Sequence, residues 1–81
     1  MYLHIGNGLV LNDKDIIAIF NIDYIKNTKD YKKFYKQLLE ENRIVDISKN
    51  NPKSMILANK NQMIKAYISN INSNTIGKRK F

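Results

Sequence analysis

There is no cysteine in this chain, and its one histidine is His4. Disulfides and thiolate metal sites are thereby excluded. His4 has no carboxylate at ligand spacing, so neither a metal nor another cofactor is expected. A general base needs an orienting carboxylate and a reacting group within reach. No nucleophile–base pair can be assembled, so we expect a non-enzymatic protein with no small-molecule substrate. No apolar run approaches the ~20 residues that span a bilayer. The start, MYLHIGNG, lacks a basic region followed by an apolar stretch, and so does not read as a secretory signal. A cytoplasmic protein with no membrane partner is expected. Acidic residues are also scarce, 7 against 14 Lys and Arg, for a formal net charge of +7. Arginine itself is confined to Arg43 and Arg79.

What remains is small and basic. The 81 residues make one domain, 1–81, with a basic C-terminal segment at 77–81. A core of this size is marginal. Without disulfides or metals, self-association is the remaining route to extra stability. The charge favours nucleic acid or an anionic membrane as partner. Abundant Ile, Asn and Lys would also follow from an A/T-rich genome with no selection for binding.

Along the chain, Met1 to Ile5 alternates and reads as a short strand. Gly6-Asn7-Gly8 is a turn signal, and Leu9-Val10-Leu11 resumes as the second arm of a β-hairpin. After the polar break Asn12–Asp15, the run Ile16–Phe20 is apolar on both faces. It is expected to be a central strand covered on both sides, with Ile22 beyond it. The period then changes. Tyr31, Phe34, Tyr35, Leu38 and Leu39 fall on one helical face, which places a helix at about 28–42, with Thr28 as N-cap and Asp30 suited to its first turn. Phe20, Phe34 and Leu38 are expected to pack that helix on the central strand. Ile44–Ile47 is another strand, Ser48–Pro52 a loop, and Ser54–Ala58 and Met63–Ile68 a second hairpin about Asn59–Gln62. The fold class is α+β: a small, mostly antiparallel sheet with one principal helix. One helix cannot cover both sheet faces, so a neighbouring subunit is expected to cover the other.

Each functional signal has a plainer structural counterpart. Gly6-x-Gly8 opens no helix and has no third glycine, so a hairpin turn explains it better than a phosphate cradle. His4 reads as a packed or surface residue. Tyr31 and Tyr35, one turn apart, fit amphipathic packing better than base stacking. Lys29, Lys32, Lys33 and Lys36 could track phosphates but read first as a solvated face. In the loop at 48–53 the only cations are Lys49 and Lys53. Lys78-Arg79-Lys80 is the densest basic cluster, and on its own would be a frayed tail.

Four stretches recur together, in order and with compatible spacing. They are Met1-Tyr2-Leu3-His4-Ile5-Gly6, Lys14-Asp15-Ile16-Ile17-Ala18-Ile19-Phe20, Pro52-Lys53-Ser54, and the ending Tyr67-Ile68-Ser69 through Ser73-Asn74-Thr75-Ile76-Gly77-Lys78-Arg79. As a set they resemble a small bacterial family, the extracellular matrix regulators RemA and RemB, with RemB the closer. The resemblance implies a LytTR-like DNA-binding fold, homo-oligomeric rings, and an activator of biofilm-matrix genes. It also implies that the ending is a defined feature. Ser73 or Asn74 would cap a short final turn, Gly77 would end it, and only Lys80-Phe81 would fray. The chain departs from A-type members at two places. Asn50 and Asn51 stand where those carry an arginine pair, and Asp15 stands where they carry an arginine, with Lys14 one residue earlier.

The expectation is therefore a ring-forming regulator that binds double-stranded DNA mainly through phosphates, with Lys14, Lys53, Lys78 and Arg79 as the contacting residues. The alternative is a structural ring that binds a protein partner or paralogue and not DNA.

Overall fold

The computed structural model describes residues 1–80. Strands β1 (Tyr2–Gly6) and β2 (Leu9–Asn12) form an antiparallel hairpin that is a sheet of its own. Its turn needs positive φ at three successive residues, Gly6, Asn7 and Gly8. Glycine and asparagine are the residues that reach this region most readily. A single 3-10 turn, Asp13–Asp15, leads into β3 (Ile16–Asn21) and a one-turn helix α1 (Ile22–Ile25). Helix α2 (Lys29–Glu40) is capped by Thr28, whose hydroxyl accepts the amide of Tyr31 at 3.1 Å. There follow β4 (Ile44–Asp46), β5 (Ser54–Lys60), β6 (Met63–Ser69) and α3 (Ser73–Lys80).

The main sheet runs β3-β5-β6-β4, with β4 parallel to β6 and the other pairs antiparallel. The second hairpin therefore takes the centre. Met55, Ile56, Ala58, Ala66, Tyr67 and Ile68 are all buried, so β5 and β6 are covered on both faces. This corrects the expectation for Ile16–Phe20, which form an edge strand with Ile17 and Phe20 exposed. An apolar run suits a covered strand. It cannot tell a centre from an edge when a second run, at residues 54–58, is equally apolar. Ile22 belongs to α1 and not to the strand, because Asn21 caps that turn by accepting the amide of Asp23 at 3.0 Å.

Each face of the sheet has its own cover. On one, α2 buries Leu38 against Met55, Ala66, Ile68 and Ile22, with Tyr31 and Tyr35 alongside. Burial there, with Tyr35 beside it, pushes the Tyr31 phenol above its ordinary pKa. On the other, Leu3, Ile5 and Leu11 of the first hairpin and Ile76 of α3 close over Ile16, Ile56, Ala58 and Tyr67. The sheet face expected to lie open for a neighbour is thus closed within the subunit, by the hairpin and the C-terminal helix together. The expected helix-to-strand packing holds for Leu38, which is 1% exposed, and fails for Phe20 and Phe34, each 37% exposed. Both phenylalanines sit at the β3 flank of α2, beyond the edge of the covered core.

Candidate nucleic-acid interface

The polar stretch after β6 proves to be an anchor. The Ser69 hydroxyl, fully buried, donates to the Ile5 carbonyl and accepts the amide of Ile71 at 3.0 Å. Buried Ser54 donates to the Ile71 carbonyl at 2.8 Å. Two hydroxyls thus satisfy backbone groups that burial would otherwise leave costly and unpaired. They tie β1, β5 and the segment before α3 into one joint. Gly6 belongs to it too, since a Cβ there would stand 3.3 Å from the Ser69 hydroxyl.

From this joint α3 starts one residue earlier than expected. Asn72 caps it, its side chain accepting the amide of Asn74 at 2.8 Å. The helix then runs through Gly77, whose φ is ordinary, and includes Lys80. Gly77 does not end the helix because Ile76, fully buried, holds the next turn onto the hairpin. The fraying expected for Lys80 is not decided by those bounds, and Phe81 lies outside the described residues.

The expected contact residues occupy distinct places. Lys53 is exposed just before β5, and its backbone is fixed from both sides. Its amide donates to the Ser69 carbonyl at 2.8 Å, and its carbonyl accepts the Ile22 amide at 3.1 Å. It sits at the rim of the loop holding exposed Lys49, Asn50 and Asn51, with positive φ at Lys49 and Asn50. Buried Ser48 starts that loop by donating to the Asp46 carboxylate from both its amide, at 2.9 Å, and its hydroxyl, at 2.7 Å. Lys14 lies in the 3-10 turn between Asp13 and Asp15. Pairing of Ile16 with Ala58 and of Asn21 with Ser54 puts Lys14 and Lys53 beyond opposite ends of β3. That separates them by at least the strand's length, roughly 17 Å at ~3.3 Å per residue. Lys78 is exposed on α3. Arg79 donates from Nη1 to the His4 carbonyl at 2.7 Å and so clips α3 to β1.

Lys49 and Lys53 thus share one loop, and Lys78 and Arg79 share the end of α3. The four expected residues do not form one cluster. The positioning residues Ser54, Ser69 and Asn72 escaped the sequence reading. A run of serine and asparagine reads as loop, and nothing in it signals burial.

Both arginines are engaged within the chain. Arg43 donates from Nε to the Ile64 carbonyl at 2.8 Å and from Nη1 to Glu41 at 2.5 Å. That hydrogen bond pulls the Glu41 carboxyl below its ordinary pKa. None of the ion pairs among the described residues involves Lys14, Lys53, Lys78 or the lysines of α2. Among the described residues no cluster could hold a metal ion, and no helix is long and apolar enough to cross a membrane.

The chain is a small α+β domain with a basic loop before β5 and a basic end to α3. The chain belongs to the RemA-like family, described as extracellular matrix regulatory protein A-like, whose model matches residues 2–79. Its class is therefore that of the extracellular matrix regulators. No curated protein sequence matches it.

Proposed function

We propose that the chain is a cytoplasmic DNA-binding regulator of matrix genes, of LytTR-like fold and assembling into a ring. It grips the duplex mainly through phosphates. The observation that carries this reading is the set of exposed lysines, among them Lys14, Lys53 and Lys78, that take part in none of the ion pairs among the described residues, on a chain of net charge +7. Lysine acts as a point charge towards phosphate, whereas base readout favours a free arginine fork. Here Arg43 and Arg79 hold backbone carbonyls of their own chain. A ring would repeat each weak patch, so several copies could engage one duplex and gain by effective concentration.

The test is a salt titration against a duplex of several helical turns. Binding should fall linearly on a log–log plot, with a slope of about −0.9 per phosphate contacted. Lys53→Ala and Lys78→Ala should each flatten the slope and weaken all sequences alike. Arg79→Ala should do so with an added loss of stability, because it also releases α3. Absence of binding at low salt by the intact oligomer would overturn the reading. The second reading, a ring that binds a protein or paralogue, is favoured by the engaged arginines and by Asn50, Asn51 and Asp15 at basic positions of the A-type pattern.

A further inference from the structure

The lysines of α2 lie in one stripe. At 3.6 residues per turn, Lys29, Lys32, Lys33 and Lys36 fall within an arc of roughly 100°. That arc lies opposite Leu38, which α2 buries against the sheet. The stripe therefore points away from the sheet, over ~10 Å of helix at ~1.5 Å per residue, and Glu40 follows at its far end. All these lysines are exposed, and none joins an ion pair among the described residues.

Helix stability does not call for this arrangement. Lys29 with Lys33, and Lys32 with Lys36, are like charges four residues apart, which destabilise a helix. Lys29 and Lys32 also stand in the first turn, where the helix dipole favours acids. A membrane surface does not suit the stripe either, because the apolar side of α2 is turned onto the sheet and is not free to insert. A row of solvated lysines at helical spacing suits a polyanion of regular charge. Duplex DNA carries one negative charge per ~1.7 Å of its axis.

Lys78 points the other way. It lies about 200° round α3 from Ile76, which enters the core on the opposite face of the sheet. The chain measures 21 Å or more along each principal axis. A straight duplex laid against one of these surfaces leaves the other free. At the ~8 Å screening length of physiological salt, the two surfaces act independently.

We infer that the α2 stripe is a second phosphate-binding surface, by which the protein holds a second duplex segment while Lys78 and its neighbours hold the first. The inference rests on the DNA-binding reading and adds to it the bridging of two segments.

The experiment uses the full-length protein at low salt to capture a labelled duplex on an immobilised one. Wild type should capture it. The combined variant Lys29→Gln, Lys32→Gln, Lys33→Gln, Lys36→Gln keeps good helix formers at exposed positions. Unchanged circular dichroism and solution mass check that it folds and assembles like wild type. It should bind a single duplex and capture no second. Lysine acetylation of wild type, read by mass spectrometry, needs no variant. With duplex in excess, the stripe lysines should be protected together with Lys78. Where the variant changes mass, this protection decides. A wild type that binds no duplex would overturn the DNA-binding reading and the stripe with it. A wild type that binds one duplex but captures no second would overturn the second surface alone. So would a stripe variant that captures as well as wild type, or stripe lysines acetylated as fast with duplex as without. A stripe variant that folds but binds no duplex would show that the stripe is the first surface and not a second.

Discussion

Replacing Ile76 by alanine removes the apolar side chain by which α3 enters the core. Ile76 is fully buried among Leu3, Ile5, Ile16 and Tyr67. Losing three carbons costs ~2.4 kcal/mol at ~0.8 per CH₂. The cavity left behind raises the cost into the range of ~2–5 kcal/mol. An 81-residue domain holds only ~4–12 kcal/mol in all, at ~0.05–0.15 per residue. Ile76→Ala should therefore remove up to half of the stability or more. Ile76→Val, which deletes one carbon, should cost only ~0.5–1.5 kcal/mol. The assay is urea unfolding by circular dichroism at fixed protomer concentration, because assembly would shift the midpoint by mass action. A large fall in midpoint with an unchanged m-value is the expected result. An Ile76→Ala midpoint within ~0.5 kcal/mol of wild type would refute the assignment of α3 to the core. A reduced m-value would show that α3 detaches while the rest stays folded.

Two further outcomes separate buried from exposed positions. Leu38→Ala should cost ~2–5 kcal/mol, and Phe34→Ala clearly less than the ~3–5 kcal/mol of a fully buried ring, as read by the same urea assay on dissociated protein. Gly77→Ala should raise the thermal midpoint, by the equivalent of about 0.5–1 kcal/mol. Gly77 sits inside a helix at ordinary φ with nothing within 4 Å of an added Cβ, so alanine gains helix propensity without a clash.

Local signals in the sequence carried most of the elements. Period two and turn chemistry marked both hairpins, and the spacing of Tyr31, Phe34, Tyr35 and Leu38 marked α2, down to its Thr28 cap. Their arrangement in space was less legible. Ile16–Phe20 and Met55–Ala58 are equally apolar, and only the pairing of β5 with two neighbours makes it central. The second cover of the sheet stayed hidden because it joins residues from the two extremes of the chain, and no local pattern in SNINSNTIG announces that Ile76 is buried. Lys53 was singled out by the resemblance at Pro52-Lys53-Ser54, and the structure leaves it exposed just before β5. Arg79 was legible as a basic position but not as a clip, since its partner is a backbone carbonyl, which every residue has.

The joint at Ser69 has a consequence for how the chain is made. Ser69 meets Ile5 across a separation of 64 residues, and Arg79 meets His4 across 75. A lone two-stranded hairpin is marginal in water. The first hairpin to leave the ribosome therefore has nothing to lie on until β5 and β6 follow, and is not closed over until Ile76 and Arg79 have emerged. Until then Leu3, Ile5 and Leu11 stay open to solvent or to a chaperone. Folding then comes as one late event dominated by distant contacts, a topology that slows folding and prolongs the interval in which exposed apolar surface can aggregate.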